Sequence, residues 1–247
     1  MKLFSRNPRA SVPEPDDSRM TVIEHLEALR KVLIVICIAW GVATVIGFFV
    51  GDAVYTYVVH RAGVKELILI NPTGGFFVRF KVAIYVGFVI AAPVIVQQVW
   101  SFVAPGLYLH ERRLFGPLVF ATLFFFALGI GFSLYSLPLI IHVLTGFLPP
   151  DLVKPTFDAN EFLGFVLGLV IAFGIVFELP VVLYALGRMG IISSRWLWKN
   201  RPYWVIGLGL GANFLMPGGD PLTPLILFVP LYVFYEATAL LLRVSGH

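Results

Sequence analysis

Charged residues are scarce in this sequence. Lys, Arg, Asp and Glu make up 13% of its 247 residues, whereas soluble domains are charged at about a quarter of their positions. So few charges cannot cover the surface of a chain this long, which excludes a water-soluble globular protein. Hydrophobic residues account for 59% of the chain, and the mean hydropathy is +0.90. Lipid must therefore serve as much of the solvent, and spans of about 20 apolar residues are expected.

Cysteine is nearly absent, and motifs for catalysis are missing. Cys37 is the single cysteine, which excludes an internal disulfide and a thiolate metal site. Its place in an apolar run predicts a small, buried apolar thiol. His110-Glu111 has no second histidine one turn later, as a zinc protease motif requires, and the sequence has no glycine-rich phosphate loop. We therefore expect no enzymatic activity, no metal and no cofactor.

Six apolar runs alternate with short polar segments. They are Val32–Val50, Phe76–Val99, Leu114–Ile141, Phe162–Leu186, Tyr203–Leu215 and Leu222–Leu242. The sequence therefore predicts an all-α polytopic membrane protein of six transmembrane helices, the last two short. We interpret these last two as paired short spans that thin the bilayer around them, with a re-entrant hairpin as the alternative.

Prolines within or at the ends of the spans predict bent helices. They are Pro93, Pro117, Pro138 and Pro180. Several bent helices side by side favour a curved, concave wall over a straight bundle.

The polar start of the chain predicts a tail followed by a surface helix. Residues 1–20 are polar and Pro-rich, which is typical of a disordered cytoplasmic tail and not of a cleaved signal peptide. Ile23, Leu26 and Leu29 then recur at helical spacing and predict an amphipathic helix on the membrane surface before the first span. Neither a domain boundary nor an internal repeat is visible, so residues 21–247 are predicted to form one membrane domain.

The distribution of Lys and Arg predicts the orientation. Thirteen of the 18 fall in segments that the six-span scheme places on one side of the membrane. Because cytoplasmic loops carry the excess of Lys and Arg, both termini are predicted to be cytoplasmic. The same bias accounts for the net charge of +4 without a nucleic-acid partner.

Acidic residues inside or between the spans are the candidates for function. Glu178 lies well inside the fourth run, where a carboxylate costs a few kcal/mol and marks a functional site by default; a hydrogen bond to another helix is the alternative. Glu236 is nearer the end of its run and is expected to reach the interface or to pair with Arg243. Asp220 lies in a predicted Pro-Gly-Gly-Asp-Pro turn, where turn chemistry alone is sufficient to account for an Asp.

Glu111 is the single acid between Trp100 and Arg113. It either balances the neighbouring Arg112 and Arg113 or accepts a guanidinium group from a partner, since carboxylates bind arginine in bidentate fashion. The residues alone leave both possibilities open.

Five motifs in chain order resemble the TatC family, the large membrane subunit of the twin-arginine protein translocase. Each motif alone is weak evidence, but five in the same order are specific. They are His25–Arg30, Ala92–Arg113, Phe173–Pro180, Arg201–Tyr203 and Pro230–Glu236.

The resemblance implies a six-helix receptor for signal peptides with consecutive arginines on folded cargo. Such a receptor recruits the single-span partners TatA and TatB, assembles with them in several copies, and uses the proton-motive force across the bacterial cytoplasmic (inner) membrane. The carried-over signal-binding residues are Glu111, Phe102, Pro105, Leu107, Tyr108 and Arg113. Glu178 and Pro180 would contact the signal peptide or a partner helix. The remaining matched residues, with structural or functional roles, are Arg30, Asp220 and Glu236.

One departure concerns the acid near the start of the chain. The family usually has it directly before the Leu-Arg pair, where this sequence has Ala28, and Glu27 precedes that position. One residue on a helix turns a side chain by about 100°, so Glu27 is the candidate second arginine-binding carboxylate with Glu24 as the alternative. A proton-coupled secondary transporter that uses Glu178 as its proton carrier is the alternative function.

Overall fold

Helices make up nearly all of the described structure, which comprises residues 22–103, 115–146, 155–215 and 223–245 of a computed structural model. Within these ranges two strands of two residues each, β1 (Leu67–Ile68) and β2 (Phe157–Asp158), pair in parallel. The helices are α1 (Val22–Arg61), α2 (Gly74–Val103), α3 (Phe115–Thr145), α4 (Ala159–Val176), α5 (Leu179–Arg188), α6 (Ser194–Lys199), α7 (Arg201–Leu215) and α8 (Thr223–Val244). The all-α class is confirmed, although the small sheet was not predicted. The predicted tail, residues 1–20, lies outside the described residues.

Six helical segments account for the six apolar runs. In the described part of the chain five are long and apolar enough to cross a membrane, namely α1, α2, α3, α8, and α4 with α5 counted as one. The sixth is α7, whose 15 residues rise about 22 Å, less than a hydrocarbon core of about 30 Å. With 22 residues, α8 is long enough to cross, which fits paired spans and not a re-entrant hairpin. As predicted, α7 and α8 are the shortest of the six.

The helices stand side by side as a wall. The principal pairs are α1 on α2, α2 on α3 and α4, α3 on α4, α5 on α8, and α8 on α7. α1 and α7 therefore form opposite edges, and both leave large apolar side chains exposed, such as Phe49 and Phe214. Pro93 and Pro138 lie inside α2 and α3, where proline bends a helix. This arrangement agrees with the predicted curved wall.

α1 is one continuous helix of 40 residues. The predicted separate surface helix was wrong, because nothing breaks the helix: Val22–Arg61 contains no proline. The rod is about 60 Å long, roughly twice the thickness of a hydrocarbon core, so it extends beyond the membrane. Cys37 is exposed on its surface and not buried as predicted, because α1 packs mainly on α2 at the edge of the wall.

A close crossing joins α1 to α2. Gly87 of α2 lies against Thr44 of α1, and a Cβ atom at Gly87 would be 2.6 Å from the Thr44 Cα atom. Near this point the Trp40 indole donates a hydrogen bond to the Ile84 carbonyl oxygen at 3.0 Å. Small residues let two membrane helices approach backbone to backbone. The backbones of α1 and α2 are therefore in close contact at Thr44 and Gly87.

The two ends of the wall differ in character. At one end, which we call the capped end, the last turns of α1 and α3 and the first turns of α4 enclose an apolar core that includes Val58, Ile140 and Phe162. β1 and β2 lie at this end. At the other end, which we call the basic end, α1, α3 and α7 begin and α2, α5 and α8 finish. Among the described residues its cations are Arg30, Lys31, Arg188, Arg195, Lys199, Arg201 and Arg243, against Arg61, Lys65, Arg79 and Lys81 at the capped end.

The Asp158 side chain connects two parts of the capped end, the start of α4 and the residues after β1, through hydrogen bonds. Its carboxylate is the N-cap of α4 and accepts backbone N–H bonds from Asn160 at 2.9 Å and Glu161 at 3.1 Å. It also accepts the backbone N–H of Ile70, just after β1, at 3.2 Å. These donors, that of Glu161 first, hold the pKa of Asp158 below its ordinary value of 3.8, because they stabilise the charged form.

Replacing Asp158 with alanine should lower the melting temperature of the detergent-solubilised protein at pH 7. Because the pKa of Asp158 is lower in the folded protein than in the unfolded chain, its stabilising contribution is present above the unfolded value and is lost as the pH falls through the folded value. Thermal unfolding of wild type and D158A should therefore converge below about pH 4. If the difference in melting temperature between wild type and D158A stays constant down to pH 2, the effect comes from packing and not from the charge of Asp158.

α3 crosses α4 at a glycine, which makes a matched pair of variants available. A Cβ atom at Gly129 would lie 2.5 Å from the Phe173 carbonyl oxygen, whereas one at Gly131 would have nothing within 4 Å. Gly129→Ala should therefore cost about 1–3 kcal/mol, as in other overpacked cores. Gly131→Ala should leave the melting temperature unchanged or raise it, since alanine favours helix. Equal melting temperatures for the two variants in thermal unfolding would contradict this close crossing.

The fourth span is broken where the sequence predicted a single run, Phe162–Leu186. α4 ends at Val176 and α5 begins at Leu179. Pro180 has no N–H and cannot donate to the carbonyl four residues earlier, at Val176, although it is tolerated in the first turn of α5. The helix is interrupted at this point of the wall for that reason.

Candidate functional site

Glu178 occupies the break between α4 and α5. Its backbone is helical (φ −72°, ψ −13°), and its side chain does not cap α5. The side chain is therefore available for contacts across the wall. Pro180, the other residue predicted to make a contact within the membrane, is buried two residues further on, in the first turn of α5.

An apolar indentation of about 230 Å³ opens beside Glu178. α2, α3 and α4 form its walls, and aromatic rings come from Phe88, Trp100 and Phe126. Among the described residues that line it, Trp100, Thr122 and Glu178 alone carry polar side-chain groups. The acid predicted from its position in an apolar run thus faces an apolar recess of the wall.

A short hydrogen-bond chain leads to the Glu178 carboxyl group. The buried Trp100 indole donates to the Thr122 hydroxyl oxygen at 2.9 Å, and the Thr122 hydroxyl hydrogen-bonds the Glu178 carboxyl group. Glu178 Oε1 is also buried but has no hydrogen-bond partner among the described residues. Buried polar groups are normally satisfied, so this oxygen marks a place where a further donor fits.

The sequence analysis missed the partners of Glu178. Trp100 and Thr122 lie 22 residues apart on different helices, and each looks like an ordinary member of an apolar run. Tryptophan and threonine in a span carry no signal of function by themselves. Only the packing of α2 against α3 brings them together.

At the basic end, the start of α1 packs on the end of α2. The His25 and Phe102 rings are stacked, with centroids 4.3 Å apart and planes inclined by 25°. Phe102 leads directly into residues 104–114, so the acidic start of α1 lies beside the point where that segment leaves α2. Several predicted signal-binding residues fall in the segment and lie outside the described residues: Pro105, Leu107, Tyr108, Glu111 and Arg113.

The candidate carboxylates near the chain start, Glu24 and Glu27, lie about 60° apart on α1, and Glu24 is the nearer of the two to the side that packs on α2. Glu27 pairs with Lys31 at 3.3 Å, and both side chains are exposed. Glu27 is two residues from His25, about 200° around the helix, and therefore points away from α2. Glu24 lies one turn before Ala28 and shares its side of the helix. Arg30 is exposed on the next turn.

Glu236 pairs with Arg201 and not with Arg243 as predicted. The Arg201 Nη2 and Glu236 Oε1 atoms are 2.6 Å apart, and Arg201 Nε donates to the Tyr232 hydroxyl oxygen at 3.0 Å. Arg243 lies seven residues beyond Glu236 in the last turn of α8. Arg201 opens the neighbouring antiparallel helix at the level of Glu236, and the pair thus joins α7 to α8 near the basic end. Asp220, which lies between these helices in the sequence, is outside the described residues.

A comparison with protein families finds one matching model. Residues 24–230 match the family described as TatC, Sec-independent protein translocase protein. The match covers most of the chain and includes four of the five motifs noted in the sequence; the fifth, Pro230–Glu236, begins at its last residue.

Individual proteins and solved structures agree with the family match. A Sec-independent protein translocase protein TatC from Aquifex aeolicus is 37% identical, with 90% of this chain and 94% of that protein covered. The TatC protein of Carboxydothermus hydrogenoformans is 36% identical over 90% of this chain and 93% of its own. A crystal structure of the twin-arginine translocase receptor TatC in DDM superposes with a TM-score of 0.80 at 35% identity, covering 89% of this chain and 99% of that one.

Proposed function

Because the chain belongs to the TatC family of Sec-independent protein translocase proteins, we propose that it is the receptor subunit of a twin-arginine translocase. It binds signal peptides with consecutive arginines on folded cargo and recruits TatA- and TatB-type single-span partners into a hetero-oligomer of several copies. Transport draws on the proton-motive force. The protein lies in the bacterial cytoplasmic membrane, with the basic end and both termini in the cytoplasm, since the cations gather at that end.

The main structural support for this proposal is the environment of the Glu178 side chain. A carboxyl group in a membrane span is costly unless a polar group meets it. Thr122 supplies one hydrogen bond, but Glu178 Oε1 is buried without a partner among the described residues. A donor on a partner helix or on a signal peptide would complete the site, which gives the acid a reason to lie there.

Recognition of the arginines is assigned to the basic end. Glu111 accepts the arginine pair, because a carboxylate binds the planar guanidinium fork through two parallel hydrogen bonds. The stack of His25 on Phe102 supports this assignment by setting the start of α1 beside the segment that carries Glu111. The neighbouring contacts proposed for the signal peptide come from Phe102, Pro105, Leu107, Tyr108 and Arg113.

Glu24 is proposed as the second carboxylate in preference to Glu27. Glu27 faces away from the His25–Phe102 stack and is paired with Lys31. Glu24 lies on the side of α1 that carries Ala28, where the family resemblance expects an acid.

A proton-coupled secondary transporter was the alternative drawn from the sequence. The relatives match this chain over nearly their whole length and are protein translocase proteins. Glu178 is accordingly assigned to partner contact and not to proton carriage.

Binding of a fluorescent signal peptide to the solubilised full-length protein tests the proposal. The peptide carries Arg-Arg, and its control carries Lys-Lys, which keeps the charge but loses the bidentate fork. We expect the Arg-Arg peptide to bind about tenfold or more tightly, as one additional charge-assisted hydrogen bond provides. Equal affinities would mean general electrostatic attraction and would overturn the receptor function.

A further inference from the structure

A second apolar groove, of about 310 Å³, runs between α3, α5 and α8. α5 forms its floor with Val181 and Tyr184, while Ala121 of α3 and Leu241 of α8 stand on either side. The groove opens on the surface of the wall. In a membrane-spanning protein that surface faces lipid.

An arginine lies at the basic end of this groove. Arg188 is one turn beyond Tyr184 and two turns beyond Val181, on the same face of α5. Its Nε atom is buried and has no hydrogen-bond partner among the described residues. Burying an unpaired guanidinium N–H is costly, so an acceptor is expected here.

A second arginine lies at the same level. Gly187 lies against the Leu242 side chain where α5 packs on α8. Arg188 is the residue after Gly187, and Arg243 is the residue after Leu242. Both cations therefore lie at the level where α5 and α8 end. A groove of apolar side chains thus leads into a pair of positive charges at the membrane surface.

We propose that this groove binds a phospholipid of the leaflet at the basic end. One acyl chain lies along Ala121, Val181 and Tyr184, and the phosphate accepts hydrogen bonds from Arg188 with Arg243 beside it. A phospholipid has apolar acyl chains and a charged headgroup. The site matches it, because the apolar groove ends beside two arginines at the depth where the headgroups lie. The inference needs only that the wall spans a membrane and does not depend on signal recognition.

The charge at the end of the groove favours a phospholipid over an apolar partner helix, since arginine binds phosphate through its planar fork.

Native mass spectrometry of the full chain with added phosphatidylglycerol tests the proposal. Arg188→Gln should lower retention of the lipid about tenfold, whereas Arg188→Lys should keep part of it because the charge remains. Ala121→Phe fills the groove without changing charge and should lower retention as well. The matched controls are Arg195→Gln and Ala127→Phe, both at exposed positions, and they should retain lipid as the wild type does.

Three outcomes would overturn the lipid site. Retention unchanged in both Arg188→Gln and Ala121→Phe would show that lipid binds elsewhere. Competition by glycerol 3-phosphate at the same concentration as the lipid would show a site for free phosphate alone. A crosslink from position 121 to a single-span partner, with no lipid retained by the wild type, would assign the groove to a helix. Thermal unfolding of each variant confirms that the protein compared is folded.

Discussion

Glu178→Ala should abolish export of a twin-arginine reporter protein. Removing the carboxyl group leaves Trp100 and Thr122, which already hydrogen-bond each other, as the polar groups among the described lining residues, so a donor on a docking helix loses the carboxyl acceptor. An unsatisfied buried donor costs about 1–3 kcal/mol, which corresponds to roughly 5- to 150-fold weaker docking. Crosslinking from Ile175, a neighbouring exposed residue of the indentation, to the single-span partner should fall accordingly.

The control for this variant is Glu161→Ala. Glu161 is an exposed acid in the first turn of α4, on the same span, and its loss should leave export intact. Binding of the Arg-Arg peptide to the solubilised Glu178→Ala protein should also stay near the wild-type value, because the arginines are assigned to the basic end. Wild-type export by Glu178→Ala, or equal losses in both variants, would remove Glu178 from the docking site.

Glu111→Ala should eliminate the preference for Arg-Arg over Lys-Lys signal peptides. Hydrogen bonds to charged groups contribute about 1.5–3 kcal/mol, so affinity for the Arg-Arg peptide should fall about 10- to 150-fold. The Lys-Lys peptide should lose much less, since lysine makes no bidentate contact. Fluorescence anisotropy with both peptides on both proteins gives the four affinities required.

The two acids at the start of α1 provide the matched comparison. Glu24→Ala should weaken Arg-Arg binding several-fold in the same assay, whereas Glu27→Ala should change it less than twofold, because Glu27 faces away from α2 toward Lys31. The reverse order would show that the signal peptide approaches the part of α1 that carries Glu27 and Lys31. Equal small effects would leave Glu111 as the single carboxylate at the site.

The spans could be predicted because they depend on composition alone. Each apolar run of the sequence corresponds to a helix or to the broken pair α4–α5, since lipid requires every backbone group to be bonded within its own segment. Helix ends were harder to predict, because they depend on individual residues, such as proline, that interrupt a helix. α1 ran on to Arg61 through residues assigned to a loop, as no proline stopped it, and Pro180 divided a run whose hydropathy is continuous.

Contacts between distant parts of the chain could not be predicted from the sequence. β1 and β2 pair across 90 residues through two positions each, too short a pattern to predict. Glu236 was expected to pair along its own helix, but Arg201 on the neighbouring helix is nearer in space. Glu178 was found because an acid in an apolar run stands out, whereas its hydrogen-bonded neighbours Trp100 and Thr122 do not.

The unbroken length of α1 makes it a lever. The close crossing with α2 near Thr44 acts as a fulcrum, and the arms from there to His25 and to Arg61 are about 29 Å and about 26 Å long. Arms of nearly equal length carry a movement across the membrane almost unreduced and in the opposite direction. A tilt of about 5° around the fulcrum displaces each tip by about 2 Å. A force on the start of α1 would therefore press its last turns against the apolar core of the capped end, where Val58 is buried.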